Sequence, residues 1–253
     1  MPGASFCGRR LFGILLALLL LPCAGQAGQD SLHVVGEDWE DHSNPDGSGA
    51  AWDLLRLVYE PEGILVRHEI MPYTRSLGLV QMGKADAVIG VYPGEVEGVI
   101  YPRWNYDMDE VFALGLASSP RPDVATLGQF RLVWMRGYSY QKYLPVVRYQ
   151  EVLRRDTVLD MLENGHADFF IDALTEIDQL LGTSADMQRY SITHLQNLPL
   201  FVVFAPSPRG RELAETFDRR MQKLTAGPEL PELFERWALP YPFKQANNAD
   251  VPL

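Results

Sequence analysis

The chain is 253 residues long, 47% hydrophobic and 22% charged, with 33 Asp+Glu against 22 Lys+Arg. That acidic balance argues against nucleic acid as a partner. Both cysteines, Cys7 and Cys23, lie among the first 27 residues, so the rest of the chain holds no disulfide framework, thiolate nucleophile or cysteine metal site.

Residues 1–27 read as a secretory signal. Arg9 and Arg10 precede an apolar run over 11–21, and Gly25-Gln26-Ala27 offers small residues for cleavage. The run is too short to span a bilayer. Pro22 before Cys23 argues against lipid anchoring. The expected mature chain starts near Gly28 in the periplasm. Without Arg9 and Arg10 it keeps 20 of the 22 basic residues against 33 acidic ones. It is long enough for one large domain or two modest ones.

In chain order, residues 32–36 (LHVVG) form a short strand that opens onto the acidic 37–41 and the turn Asn44-Pro45-Asp46-Gly47. From Gly49 the spacing predicts a helix, with Trp52, Leu55, Val58 and Tyr59 on one face and Glu60-Pro61 ending it. Residues 64–70 (ILVRHEI) are the second strand. An amphipathic helix follows Pro72, breaks at Met82-Gly83-Lys84, and leads into a third strand at 85–91. This alternation predicts an α/β fold with a parallel sheet, and ligands of such sheets bind beyond the carboxyl ends of the strands.

A loop over 93–109 precedes a strand at 111–116 (VFALGL), and the alternation then restarts. Strands are predicted at 131–135, 147–152 and 167–171, with Asp172 at the end of the last. Asp156 is the expected N-cap of a helix over 157–163. A helix at 174–181, a buried strand at 198–204 (LPLFVVF), and helices at 209–224 and 230–237 complete the chain before a Pro- and Asn-rich tail. There are thus two α/β units. The unit Gly83-Lys84-Ala85-Asp86 echoes Gly165-His166-Ala167-Asp168, each joining a helix to a strand.

With these pieces the chain resembles the bacterial extracellular solute-binding proteins of family 3, the amino-acid-type periplasmic binding proteins. The resemblance rests on the leader, Gly49 to Leu55, the Leu79 to Val88 unit, the Met161 to Ile171 unit and the closing helices. It implies a two-lobed, type II periplasmic-binding-protein-like fold. Each lobe would be a mostly parallel sheet flanked by helices, and two crossing strands, 111–117 and 198–204, would serve as a hinge. Lobe 1 would comprise 30–110 plus 200–253, and lobe 2 would comprise 115–196.

In that family an Arg after the third strand and backbone N–H groups at a Gly-Ser/Thr turn hold a ligand carboxylate, while an Asp at the end of a lobe-two strand meets the amino group. Gly137-Tyr138-Ser139 matches the turn and Asp172 the Asp. The place of the Arg falls in Glu95-Val96-Glu97-Gly98, which carries no cation. Arg75 is a candidate replacement: it sits in the first turn of a helix, against the positive end of the dipole, where an anion would compensate it. Arg103 is a second candidate. Trp39, Tyr73, Tyr92 and Tyr138 are candidates to stack on the solute, although aromatic residues also fill cores.

The five histidines show no metal-ligand spacing, and Asp107-Met108-Asp109-Glu110 reads as a solvated acidic loop rather than a cation site. Two enzyme readings stand beside the binding one. Ser139, Asp172 and His194 occur in the chain order of α/β-hydrolases, and a cleft carboxylate such as Glu37 would serve a dehydratase on the same fold. The expectation is a secreted, monomeric, non-catalytic protein without metal or cofactor. It would close on an amino-acid-like or carboxylate-bearing solute for a membrane permease or a sensor kinase.

Overall fold

The computed structural model describes residues 3, 30–146, 148–182 and 186–243. The expected signal, apart from Gly3, and the tail 244–253 lie outside the described residues. In chain order the strands and helices are β1 (Ser31–Gly36), α1 (Ala50–Tyr59), β2 (Leu65–Ile70), α2 (Tyr73–Gln81), β3 (Ala87–Val91) and β4 (Asp107–Leu116). They continue with β5 (Leu132–Met135), β6 (Tyr149–Val152), α3 (Val158–Glu163), β7 (Phe169–Ala173), α4 (Leu174–Gly182), β8 (Tyr190–Phe204), α5 (Pro208–Leu224) and α6 (Glu229–Arg236).

The strands run in the order β2-β1-β3-β8-β4-β7-β5-β6. β2, β1 and β3 are parallel, as are β6, β5 and β7. Between these sets lie β4 and β8, antiparallel to each other, with β3 antiparallel to β8 and β7 antiparallel to β4. Two α/β lobes are thus joined by one long antiparallel pair. Helices α1 and α2 pack beside the first parallel set and α3 and α4 beside β7 and β4. α1 buries Trp52, Leu55 and Val58 as its spacing predicts. No helix among the described residues is long and apolar enough to cross a membrane.

Both crossing strands are longer than their apolar patterns suggest. β4 begins at Asp107, where it pairs with Leu200, and β8 begins at Tyr190. The expected acidic loop is therefore strand: Asp107 is buried and Asp109 pairs with Leu198. Its ladder comes from cross-strand backbone pairing, which polar side chains do not prevent.

One further local expectation fails. Asp156 does not cap α3; Thr157 stands at the N-cap without a side-chain cap, and Asp156 instead pairs with the neighbouring Arg154 at the surface. Asp172 stands at the carboxyl end of β7, as expected, with the strand running one residue further to Ala173.

The core is divided. One cluster fills the first lobe and continues beneath the cleft to Trp134, Tyr138 and Tyr140. A smaller one, including Leu114, Val133, Phe170, Ile177 and Leu181, lies in the second lobe.

Candidate functional site

The carboxyl ends of β1, β3, β5 and β7 face one another across the long antiparallel pair, and a cavity lies between them. It encloses about 530 Å³ of space, including what opens to solvent at its mouth. Trp39 and His42 enter from the segment after β1, Tyr73 from the start of α2, and Gly90, Tyr92 and Glu95 from the end of β3 and beyond. Tyr138 and Tyr140 follow β5, while Asp172, Thr175 and Glu176 come from β7 and α4. Tyr106, Asp109 and Leu200 form the floor on and beside the crossing strands.

Two glycines permit this closeness. Gly90 has φ +80, and a Cβ there would collide with the Trp39 ring. Gly137 has φ +90, and a Cβ there would lie 2.5 Å from Thr74 Cγ2, across the cleft.

Direct hydrogen bonds bridge the two walls. Trp39 Nε1 donates to Tyr138 Oη at 3.0 Å, and Tyr138 Oη donates to Glu37 Oε2 at 3.3 Å. Tyr92 Oη donates to Asp109 Oδ2 at 2.6 Å and sits 3.2 Å from Tyr140 Oη. With the Tyr92 proton engaged, Tyr140 is the donor in that pair. At the rim, Lys142 Nζ donates to the Glu95 carbonyl and Tyr143 Oη to the Pro93 carbonyl, at 2.6 and 3.1 Å. Among rings, Tyr73 packs edge-on against Tyr138 and tilted against Trp39, each at 5.9 Å between centroids.

The electrostatics are dominated by acids. Burial raises Glu95 and Asp109 each to about 7, against the hydrogen bonds from the Tyr92 N–H and Tyr73 Oη to Glu95 and from Tyr92 Oη to Asp109. Burial also raises Glu37, partly offset by Tyr138 and by the charge of Arg155. Arg155 donates from Nε to Asp172 Oδ2 at 2.9 Å, from Nη2 to Tyr138 Oη at 3.2 Å, and lies 2.7 Å from Glu176 Oε2 through Nη1. One guanidinium facing two buried carboxyls does not cancel their burial: Asp172 stays raised and Glu176 reaches about 7. For His42, burial favours the neutral ring, but its bond to Asp107 at 3.1 Å and the charges of Asp107 and Asp109 win and lift it to about 9.

Of the predicted residues, Trp39, Tyr73, Tyr92, Tyr138 and Asp172 line the cavity together. Arg75 is exposed and is not among the lining residues. The Arg103 side chain is 82% exposed and faces Asp218, outside the cavity. Gly137 and Ser139 flank Tyr138, but the Gly137 N–H donates to Glu151, the Tyr138 N–H donates to the Met135 carbonyl, and Ser139 Oγ donates to the Gly137 carbonyl. The turn therefore does not present these groups to an anion. The hydrolase order is not assembled either, since His194 bonds to Asn197 and Asp172 to Arg155.

Sequence reasoning did not select Arg155, His42, Asp109 or Glu176 for the cleft. Arg155 lay beside the expected cap Asp156, and only its doubled Arg154-Arg155 context marked it. Glu95 stood in the segment noted for lacking a cation, and that segment brings a carboxylate to the cavity.

No family model and no curated protein matches this chain. Solved structures do. The substrate-binding protein of an amino acid ABC transporter aligns with a TM-score of 0.65 at 16% identity, over 82% of this chain and 98% of that one. A histidine kinase sensor domain with similarity to periplasmic binding proteins aligns at 0.67 and 13%, over 83% and 96%. The chain has the periplasmic-binding-protein fold. EhuB in complex with hydroxyectoine aligns at 0.68 and 19%, over 84% and 90%. At these identities the structural alignments show the architecture alone, and the site chemistry must come from this chain's own residues.

Proposed function

We propose that this periplasmic-binding-protein fold captures a small polar solute between its lobes and presents it to a membrane partner, either a permease or a sensor kinase. We further assign residues 1–27 as an export signal, which would place capture in the periplasm, and residues 30–110 plus 200–253 and 115–196 as the two lobes. The carrying observation is the cavity itself, to which both lobes contribute rings and carboxyls and across which Trp39 meets Tyr138. A solute held there would be enclosed by both walls, so binding and closure are one event. The named functions of the neighbours, an amino acid transporter component and a kinase sensor domain, support the same role.

Micromolar capture corresponds to about −8 kcal/mol. A few charge-assisted hydrogen bonds of roughly 1.5–3 kcal/mol each, with ring burial, reach it after the costs of closure. The test is a thermal-shift screen of purified protein against amino acids, organic acids, amines and sugars, followed by small-angle X-ray scattering. The expected outcome is a hit that raises the melting temperature and reduces the radius of gyration. Turnover of the hit into a product, abolished in Glu37→Gln, would replace binding with catalysis.

A further inference from the structure

We propose that the captured solute is a small organic cation carrying no carboxylate: an amine, an alkylammonium or a guanidinium compound. This inference rests on the binding reading above and names its ligand class.

The first observation is the imbalance of engaged groups. The cations around the cavity already bond to the protein itself. Arg155 has a protein acceptor for each of its three nitrogens, in Asp172, Glu176 and Tyr138, and it is not a lining residue. His42 lines the cavity, but both its ring nitrogens are bonded, Nε2 to Asp107 and Nδ1 to the Glu40 carbonyl. Lys142 Nζ rests on the Glu95 carbonyl. A ligand carboxylate entering here would meet none of these groups with a bidentate face to offer.

The second observation is an orphaned acceptor. Glu95 lines the cavity at 5% exposure, and its Oε2 accepts from Tyr73 Oη and the Tyr92 N–H, both at 2.9 Å. Its Oε1 is buried without any hydrogen-bond partner. A buried carboxylate oxygen left unpaired is costly, and a donor on the ligand would relieve it. Asp109, with Oδ2 held by Tyr92, adds a second lining acid on the same side.

The third observation is the lining itself, in which Trp39, Tyr73, Tyr92, Tyr106, Tyr138 and Tyr140 surround these acids. The faces of aromatic rings attract cations through their quadrupole. Acids without free counterions and rings on several sides thus select one charge sign.

The experiment is isothermal titration calorimetry on purified protein freed of bound solute by dialysis from urea, with three matched pairs. These are agmatine against arginine, putrescine against ornithine, and choline against glycine betaine, each pair differing by the carboxylate. At least one of agmatine, putrescine and choline should bind tenfold or more tightly than its partner. Glu95→Gln, which keeps an acceptor for Tyr73, should weaken that binding at least tenfold, and Asp109→Asn should weaken it too, whereas Arg103→Ala should not. Tighter or equal binding of arginine, ornithine or glycine betaine would overturn the ligand class and leave the binding function standing. Silence from all six would overturn the ligand class as well, and the wider solute screen then decides the binding function separately.

Discussion

The two walls of the cleft hold their acids in opposite ways. On the second lobe, Asp172 and Glu176 share the Arg155 guanidinium, so their charge is met within the protein. On the first lobe and the floor, Glu95 and Asp109 are hydrogen-bonded by neutral tyrosine hydroxyls and a backbone N–H; the nearby Lys142 and His42 act on them through charge but bond to other groups. The paired wall is built for rigidity and the unpaired wall is left in need of a partner. Buried acids without a directly bonded counterion cost stability, and a site retains them when a ligand supplies that partner.

The largest effect should come from breaking the paired wall. Arg155→Met strands two buried carboxyls, and a loss of about 3–5 kcal/mol is expected in urea unfolding at neutral pH. Acidification should restore part of that loss, because both carboxyls are already raised by burial and protonate readily.

The unpaired wall should respond with the opposite sign. Glu95 has a folded value of about 7 against an ordinary 4.5, so its burial penalty is absent below pH 4.5 and complete above about 7. Wild-type stability should therefore fall as pH rises through that window. Glu95→Gln should be more stable than wild type by about 2 kcal/mol at pH 8 and equal to it near pH 4.5, as read from denaturant midpoints at the two pH values.

A smaller effect is expected from Tyr92→Phe, which removes the donor held 2.6 Å from Asp109. A loss of about 1–3 kcal/mol in chemical unfolding is expected, because the carboxyl loses its hydroxyl partner. The control is Arg75→Ala. This exposed residue lies on neither wall, and stability should stay within about 0.5 kcal/mol of wild type, with unchanged affinity for any solute found.

The fold was largely readable in advance because its signals are local. The helical spacing of Trp52, Leu55 and Val58, and the repeated helix, glycine, Ala-Asp, strand connection, announce burial within one element. The aromatic candidates were readable for a related reason. Trp39, Tyr73, Tyr92 and Tyr138 follow strands or open helices, and topology sends such positions to one edge of a parallel sheet. The extents of β4 and β8 were not, because polar residues such as Asp109 and Asn197 enter strand through their partner's backbone.

By itself, then, the sequence determined the α/β alternation, the two units and the edge where a site would form, since each follows from nearest-neighbour geometry and apolar period. Tertiary structure alone decided the charge of that site. Arg155 reaches acids 17 and 21 positions away, and Glu95 meets Tyr73 across 22 positions of chain. Arg75 is exposed and does not line the cavity, and Arg103 pairs with Asp218 outside it. Coulomb energies depend on distance and burial, and neither is written in the order of residues along a chain.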